Sequence, residues 1–433
     1  MKKLLLLLSL ILSLKGFSQV SIDSLKEAID DHKMKISAFD ERLSTDESDL
    51  QKLTKIKFSG YVQAQYDYYD FSPKPTPSNT FYIRRARLKA TYEAIDGVKF
   101  VLQPDYATNN LSLKDAYVVL NDRWTKTFSI WAGQFNRPDY EVEYSSSQRE
   151  VLERSRMIRT LYPGEREIGV KLEANPQNIP FKFQLAALNG NFTGNSAKDG
   201  KDAKDIDNGK DLMARAVYSF KFPKCGLGVD FGLNGYYGSV QTKDSKYVLN
   251  SENKLDSATT GSYLPKKWAG AEMQFYWDFL GGMALKGEYI MGQISTIGTS
   301  TTTVTQIGGT NSTTSSGGTT TTTRTDSSST TKTVITPNKT RNFSGYYVYF
   351  IKNIGLKNQL VVKYDNYDPN ASLSGDKAKS EIYYNTLTLA WQYYFDENLR
   401  ITASYEIPMN EKNATTPKEI LDNTFSVRIQ AKF

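Results

Sequence analysis

Phe425-Ser426-Val427-Arg428-Ile429-Gln430-Ala431-Lys432-Phe433 carries an apolar residue at every odd position and a polar one at every even position. Successive side chains of an extended strand point to opposite faces, so this stretch presents one wholly apolar face and one wholly polar face. The same period of two recurs far upstream, where Phe58, Gly60, Val62, Ala64 and Tyr66 share one face of Lys57 to Tyr66. Between these two, alternating segments run near 80–95, 97–107, 112–121, 126–135, 165–174, 180–190, 210–221, 226–240, 266–278, 281–292, 342–352, 355–368, 381–395 and 398–407. With the first, near 57–68, and the last, 423–433, the pattern predicts about sixteen strands.

An even number of half-apolar strands is the pattern of a transmembrane antiparallel β-barrel, whose lipid-facing and lumen-facing side chains alternate. The expected fold class is therefore all-β, a transmembrane barrel over residues 56–433 preceded by an α-helical coiled-coil segment. Mean hydropathy is negative, but averaging cancels an alternating wall, whereas 28 Tyr, 21 Phe and 5 Trp supply the aromatic girdles such a wall needs. Gly281-Gly282 and Asn353-Ile354-Gly355 read as tight periplasmic turns, and the long polar stretches as outer loops. A barrel of this size leaves an aqueous channel. The terminal amphipathic strand ending on Phe433 resembles the signal by which outer-membrane barrels are recognised, so the barrel assembly machinery and outer-membrane lipid are expected partners.

The N-terminus fits an exported chain. Residues 1–18 have Lys2 and Lys3, an apolar run from Leu4 to Leu14, and Gly16 and Ser18 before a cut at Gln19, the pattern of a secretory signal peptide. In residues 19–55, Ile22, Ile29, Ile36, Leu43 and Leu50 alternate with Leu25, His32, Phe39, Asp46 and Leu53 at spacings of three and four. That is a heptad seam, and isoleucine-rich core positions permit a trimer. It is expected to be a periplasmic helix, either a coiled coil that holds a homotrimer or a lone helix packed on the barrel. The single cysteine, Cys225, leaves no intramolecular disulfide and no lipoprotein anchor.

The 54 basic residues, less the leader's three lysines, leave 51 against 47 acidic ones, a net +4 with no nucleic-acid signature. His32 is the sole histidine, so no Ser–His arrangement is available on the barrel and no enzyme is expected. No cofactor or metal is called for. What remains is the lumen. In Phe81 to Tyr92, placing Ala86, Leu88, Ala90 and Tyr92 toward lipid stacks Arg85, Arg87 and Lys89 on the lumen wall. A charge facing lipid at mid-bilayer costs about 2–4 kcal/mol, which favours that phase. Alternation turns Lys171, Lys182, Arg215, Lys286, Lys363, Arg400 and Arg428 inward too, together with Asp67, Glu167, Glu173, Glu288, Asp365 and Glu406. The wall is thus either an anion-selective series of cations or a field of mixed charge.

Two connections stand out. Residues 136–164, with Arg137, Arg149, Arg154, Arg156 and Arg159, form a long loop expected to fold into the lumen and constrict it. Residues 293–341 are dominated by Ser, Thr and Gly and are expected to form a loosely folded extracellular loop. The functional expectation is an outer-membrane porin passing small hydrophilic solutes and leaning to anions. The alternative is a non-conducting accessory or adhesin barrel that uses the Thr-rich loop as its contact surface.

Arg-Arg-Ala-Arg-Leu at 84–88, Gly-Gln-Phe-Asn-Arg-Pro at 133–138, the Ser/Arg-rich loop, and Pro-Gly-Glu-Arg-Glu-Ile-Gly-Val at 163–170 together resemble the phosphate-selective porin O and P family. The resemblance implies a trimer of 16-stranded barrels, each with its own pore, constricted by inward loops and lined by arginines that pass small anions such as phosphate. By position, Arg85 and Arg87 match the wall arginines, and Arg149 to Arg159 the constricting loop.

Overall fold

A computed structural model describes residues 30–31, 33–43, 55–71, 75–107, 111–138, 142–143, 147–190, 207–243, 245–298, 300–316, 319–417 and 422–433, with the backbone alone over 300–335. The expected leader, and Ile22, Leu25, Ile29, His32, Asp46, Leu50 and Leu53 of the heptad seam, lie outside these residues. The chain forms two units, 1–57 and 58–433. In the first, residues 30–31 and 33–43 are helical. Lys35 pairs with Asp31 one turn before it at 2.7 Å, and the seam residues Ile36, Phe39 and Leu43 are exposed.

The second unit is a closed barrel of sixteen antiparallel strands. The strands of the chain are β1 (Ile56–Phe71), β2 (Asn79–Ile95), β3 (Val98–Asp105), β4 (Ser112–Asn121), β5 (Phe128–Asn136), β6 (Arg166–Ala174), β7 (Phe181–Leu188), β8 (Asp211–Phe222), β9 (Leu227–Gln241), β10 (Tyr247–Leu249), β11 (Leu255–Ser257), β12 (Tyr263–Trp277), β13 (Met283–Thr296), β14 (Ser300–Ser316), β15 (Thr319–Ile335), β16 (Asn338–Ile354), β17 (Asn358–Asp368), β18 (Tyr384–Tyr394), β19 (Leu399–Asn410) and β20 (Asp422–Lys432). Each barrel strand pairs with its neighbour in chain order, passing over the hairpins β10–β11 and β14–β15. β20 returns to β1, from Tyr61 opposite Lys432 to Phe71 opposite Asp422.

Closure leaves the wall itself without an open edge, so its backbone polar groups are satisfied between neighbouring strands. The burial pattern follows the sequence alternation but is inverted relative to a water-soluble protein. In β20, Ser426, Arg428 and Gln430 are buried inside, whereas Phe425 and Ile429 are 39% and 48% exposed outside. Gly281 and Gly282 (φ +87° and +94°) and Gly355 (φ +63°) make two of the tight turns, a left-handed conformation that side chains disfavour.

One connection differs from expectation in both extent and order. β13 runs to Thr296 and β16 starts at Asn338, so the Ser/Thr-rich excursion is shorter than 293–341. It is also not loose. β14 and β15 pair in register from Ser300 opposite Ile335 to Ser316 opposite Thr319, as a two-stranded sheet of their own. Composition ruled out a core, but threonine is β-branched and favours strands, and a hairpin satisfies its backbone by self-pairing without one. The chain's apolar core lies instead within the lumen, where Val142, Val151, Met157, Ile158 and Leu161 cluster with wall residues that include Trp268, Phe343, Tyr347 and Tyr349.

Candidate functional site

The described residues of the connection from β5 to β6, 137–138, 142–143 and 147–165, fold inside the barrel. This connection contains a helical turn, Arg156–Leu161, begun by Ser155, whose side chain accepts the amide of Ile158 at 3.4 Å. Glu143 fixes that start by accepting from the Ser155 amide at 2.9 Å and its hydroxyl at 2.8 Å, while Tyr349 donates to the same carboxylate. The turn buries Met157, Ile158 and Leu161 against the wall. Gly345 permits this approach, since a Cβ there would come within 2.8 Å of the Met157 sulfur. Beyond the turn, Trp268 Nε1 donates to the Tyr162 hydroxyl at 2.8 Å, and the Arg137 guanidinium lies 4.4 Å from the Tyr162 ring centre.

Buried backbone carbonyls need donors, and the inward cations of the opposite wall supply them. Lys286 Nζ donates to Val142 O at 2.8 Å and to Glu150 at 2.7 Å. Arg400 donates to Ser147 O and Arg149 O at 3.2 and 3.1 Å, Arg428 to Leu152 O at 3.2 Å, and Lys363 to Glu153 O at 3.3 Å. Asp365 accepts the Arg156 amide at 3.0 Å. Inward basic residues read from alternation therefore hold the loop in place, a use that alternation alone does not reveal.

The sequence-selected cations are distributed unevenly around this loop. Arg85 is buried, with Nη1 3.3 Å from Gln63 Oε1. Arg87, its neighbour on the wall, is paired with Asp105 at 2.7 Å, and Lys89 beyond it is half-buried. Arg149 and Arg154 both approach Glu165, and Arg137 stands 3.8 Å from Glu167. Arg156 covers the Tyr384 ring at 3.4 Å, while Arg159 on the same turn is exposed. Arg215 pairs with Glu272 across the wall, and Arg428 with Gln65 at 2.7 Å and Glu153 at 3.3 Å. The fold brings Arg85, Arg149 and Arg154 toward one carboxylate, whereas Arg215 serves the wall itself.

Alternation missed Arg84, which it turned toward lipid. Arg84 reaches Glu153 at 3.3 Å, and Tyr82 donates to Asp67 at 2.7 Å. Outside, Phe81 and Ile83 are 82% and 47% exposed, and then Leu88 is 37% exposed. The phase of β2 thus slips between Arg84 and Arg85, so both guanidiniums point inward. The out-of-phase pair Phe81 and Ile83 was the available signal. Glu153 and Glu165 were missed as well. Burial by itself raises the Glu153 carboxyl, but Arg84 and Arg428 beside it bring it down to about 2. Burial likewise opposes the Glu165 charge, and Arg154, Arg166 and Arg149 hold that carboxyl well below the usual range.

The family model of phosphate-selective porin O and P matches residues 56–255. This is a porin-type outer-membrane barrel. The porin motifs at 84–88, 133–138 and 163–170 all fall inside the matched span. No curated protein matches the chain at a significant level. Among solved structures, OprB of Pseudomonas putida is 10% identical with a TM-score of 0.58, covering 89% of this chain and 96% of that one. The outer-membrane channel DcaP of Acinetobacter baumannii is 10% identical with a TM-score of 0.51, over 87% of this chain and 97% of that one. An anion-selective porin from Comamonas acidovorans is 13% identical with a TM-score of 0.50, over 87% and 99%. At such identities the likeness concerns the fold.

Proposed function

We propose that this porin-type barrel gives small hydrophilic solutes passive passage across the outer membrane, with a preference for anions such as phosphate. The observation that carries the reading is the gathering of Arg84, Arg85, Arg149, Arg154 and Arg166 where the inserted loop narrows the lumen. Between the dielectric of water and that of a protein surface, each fixed charge is worth roughly 1–4 kcal/mol to an ion about 4 Å away. Several such charges at one constriction favour anions over cations. An anion-selective porin with the same fold is consistent with this. Planar-bilayer recordings with chloride, phosphate and a large organic anion test it. Large ohmic steps with an anion-side reversal potential are expected, and silence would favour the accessory-barrel alternative.

The same reading assigns the N-terminal helix to a periplasmic coiled coil that strengthens a homotrimer, on the strength of the exposed Ile36, Phe39 and Leu43. Deleting residues 21–54 should leave a foldable barrel with a weaker trimer, and an unchanged oligomer on native gels would refute the assignment. Phe433 is read as the element recognised by the assembly machinery. Its amide and carbonyl exchange 3.0 Å hydrogen bonds with Gly60, and its ring lies where a Gly60 side chain would go, so the last residue also closes the barrel.

A further inference from the structure

Three guanidinium groups converge on one carboxylate inside the barrel. Arg166 Nη1 lies 2.6 Å from Glu165 Oε2, while Arg154 and Arg149 approach Oε1 at 3.4 and 3.8 Å, and Arg85 adds its charge from the wall. The three converging arginine side chains are almost wholly buried, and Glu165 keeps 14% exposure. Arg166 is shared with Asp115 at 3.0 Å. Glu153 and Glu143 also act on Arg149, and Glu153 on Arg85, so the site is a water-poor network of mixed charge in which Glu165 is the carboxylate that the three guanidiniums share.

Two further features set this carboxylate apart from an ordinary wall ion pair. Glu165 has φ +61°, a left-handed conformation disfavoured for any residue but glycine, so the backbone is strained where it delivers the side chain. Beside it is a cavity of about 10 Å³ lined by Arg137, Arg154, Tyr162 and Glu165 among others. Nε and Nη2 of Arg154 have no hydrogen-bond partner among the described residues, the approach to Glu165 being an ion pair without hydrogen-bond geometry. Donor capacity therefore remains on the cluster after Glu165 has occupied it.

We propose that Glu165 is an internal counter-anion, whose carboxylate occupies the guanidinium cluster in place of an oxyanion of the phosphate class and competes with it for the site. The inference rests on the anion reading above. A carboxylate and a phosphate each present paired oxygens to a guanidinium fork, so one can stand in for the other. A resident competitor keeps anion binding weak enough for release, which conduction requires.

The test uses the full-length barrel with Glu165→Gln, which keeps shape and removes charge, and Glu165→Gly, which also relaxes the backbone. Inorganic phosphate at constant ionic strength should raise the Tm of both variants and leave the wild type nearly unmoved. In bilayers, the phosphate concentration that half-blocks chloride current should fall by about tenfold or more, the consequence of removing one close like charge. An equal phosphate response in wild type and variants would overturn the proposal. So would failure of both variants to fold, since the carboxylate would then be a structural counter-charge. Silent channels with phosphate stabilisation confined to the variants would sink the channel reading and leave the counter-anion standing.

Discussion

The barrel sends out two long connections from the same end, 137–165 and 297–337, and they do opposite things. The first turns into the lumen and becomes its core. The second pairs with itself as β14 and β15 and makes a separate sheet. Length does not separate them, nor does a general polarity, since both are rich in Ser and charged or hydroxyl groups. What differs is the supply of large apolar anchors. Residues 137–165 bury Val142, Val151, Leu152, Met157, Ile158 and Leu161. Each fully buried side chain of this kind contributes about 1.5–3 kcal/mol, which together with the hydrogen bonds from the wall offsets part of the cost of ordering the segment. Across 300–335 the sequence offers Val304, Ile307, Val334 and Ile335 amid hydroxyl residues, so only backbone pairing is left to order it.

Excision is the most forceful way to break this comparison. Replacing 142–161 with a short Gly-Ser linker should raise single-channel conductance severalfold and abolish most ion preference, because it removes both the obstruction and four arginines, Arg149, Arg154, Arg156 and Arg159. Removing 300–335 should leave conductance and selectivity unchanged while the barrel inserts normally. If the second excision altered the current as much as the first, the division between an inner and an outer excursion would be wrong.

Fold and site were legible to different degrees for a physical reason. A wall one residue thick with lipid on one side and water on the other imposes a period of two on every strand, so sixteen strands and a lumen face could be read from residues such as Phe425 to Phe433. The same rule failed at Arg84, where the phase of β2 slips, because a slip leaves composition untouched and shows only in the mismatch of Phe81 and Ile83 with Leu88. The loop's entry into the lumen could be read from its length and arginines. Its partners could not, because Glu153 and Glu165 meet Arg84, Arg428, Arg149 and Arg154 only through tertiary packing. The hairpin β14–β15 was obscured by a composition that argues against a core and is silent about self-pairing.

A finer test contrasts two adjacent arginines on the wall facing the loop. Arg85 has no carboxylate within 4 Å among the described residues, whereas Arg87 is locked to Asp105 with both side chains buried. Arg85→Glu should therefore shift the reversal potential in a potassium chloride gradient toward cations while assembly stays near normal. Arg87→Glu places a second carboxylate against Asp105. Breaking a buried pair costs about 3–5 kcal/mol, so this variant should show lower Tm and poorer insertion ahead of any selectivity change. The opposite ranking in insertion yield would mean that the free cation and the paired one have been exchanged.

The smallest expected effect is that of acid on the inserted loop. Glu153 is held down to about 2 by Arg84 and Arg428 against the cost of its burial, and Glu165 is held well below the usual range by its three arginines. A carboxyl whose pKa is lower folded than unfolded gives stability that is fully present above its unfolded value, near 4.5 here, and is lost as pH falls through the folded value. From pH 7 to pH 5 both clamps stay charged in either state, so loop docking should not change. The one histidine, His32, belongs to the N-terminal unit, so no imidazole of the barrel titrates in that range. Protease resistance of residues 147–161 at pH 7, 6 and 5, which reads loop docking directly, should therefore be constant, with loosening only as the pH drops below about 4. Loss of that resistance between pH 7 and pH 5 would show that something other than these arginine-held carboxylates keeps the loop inside.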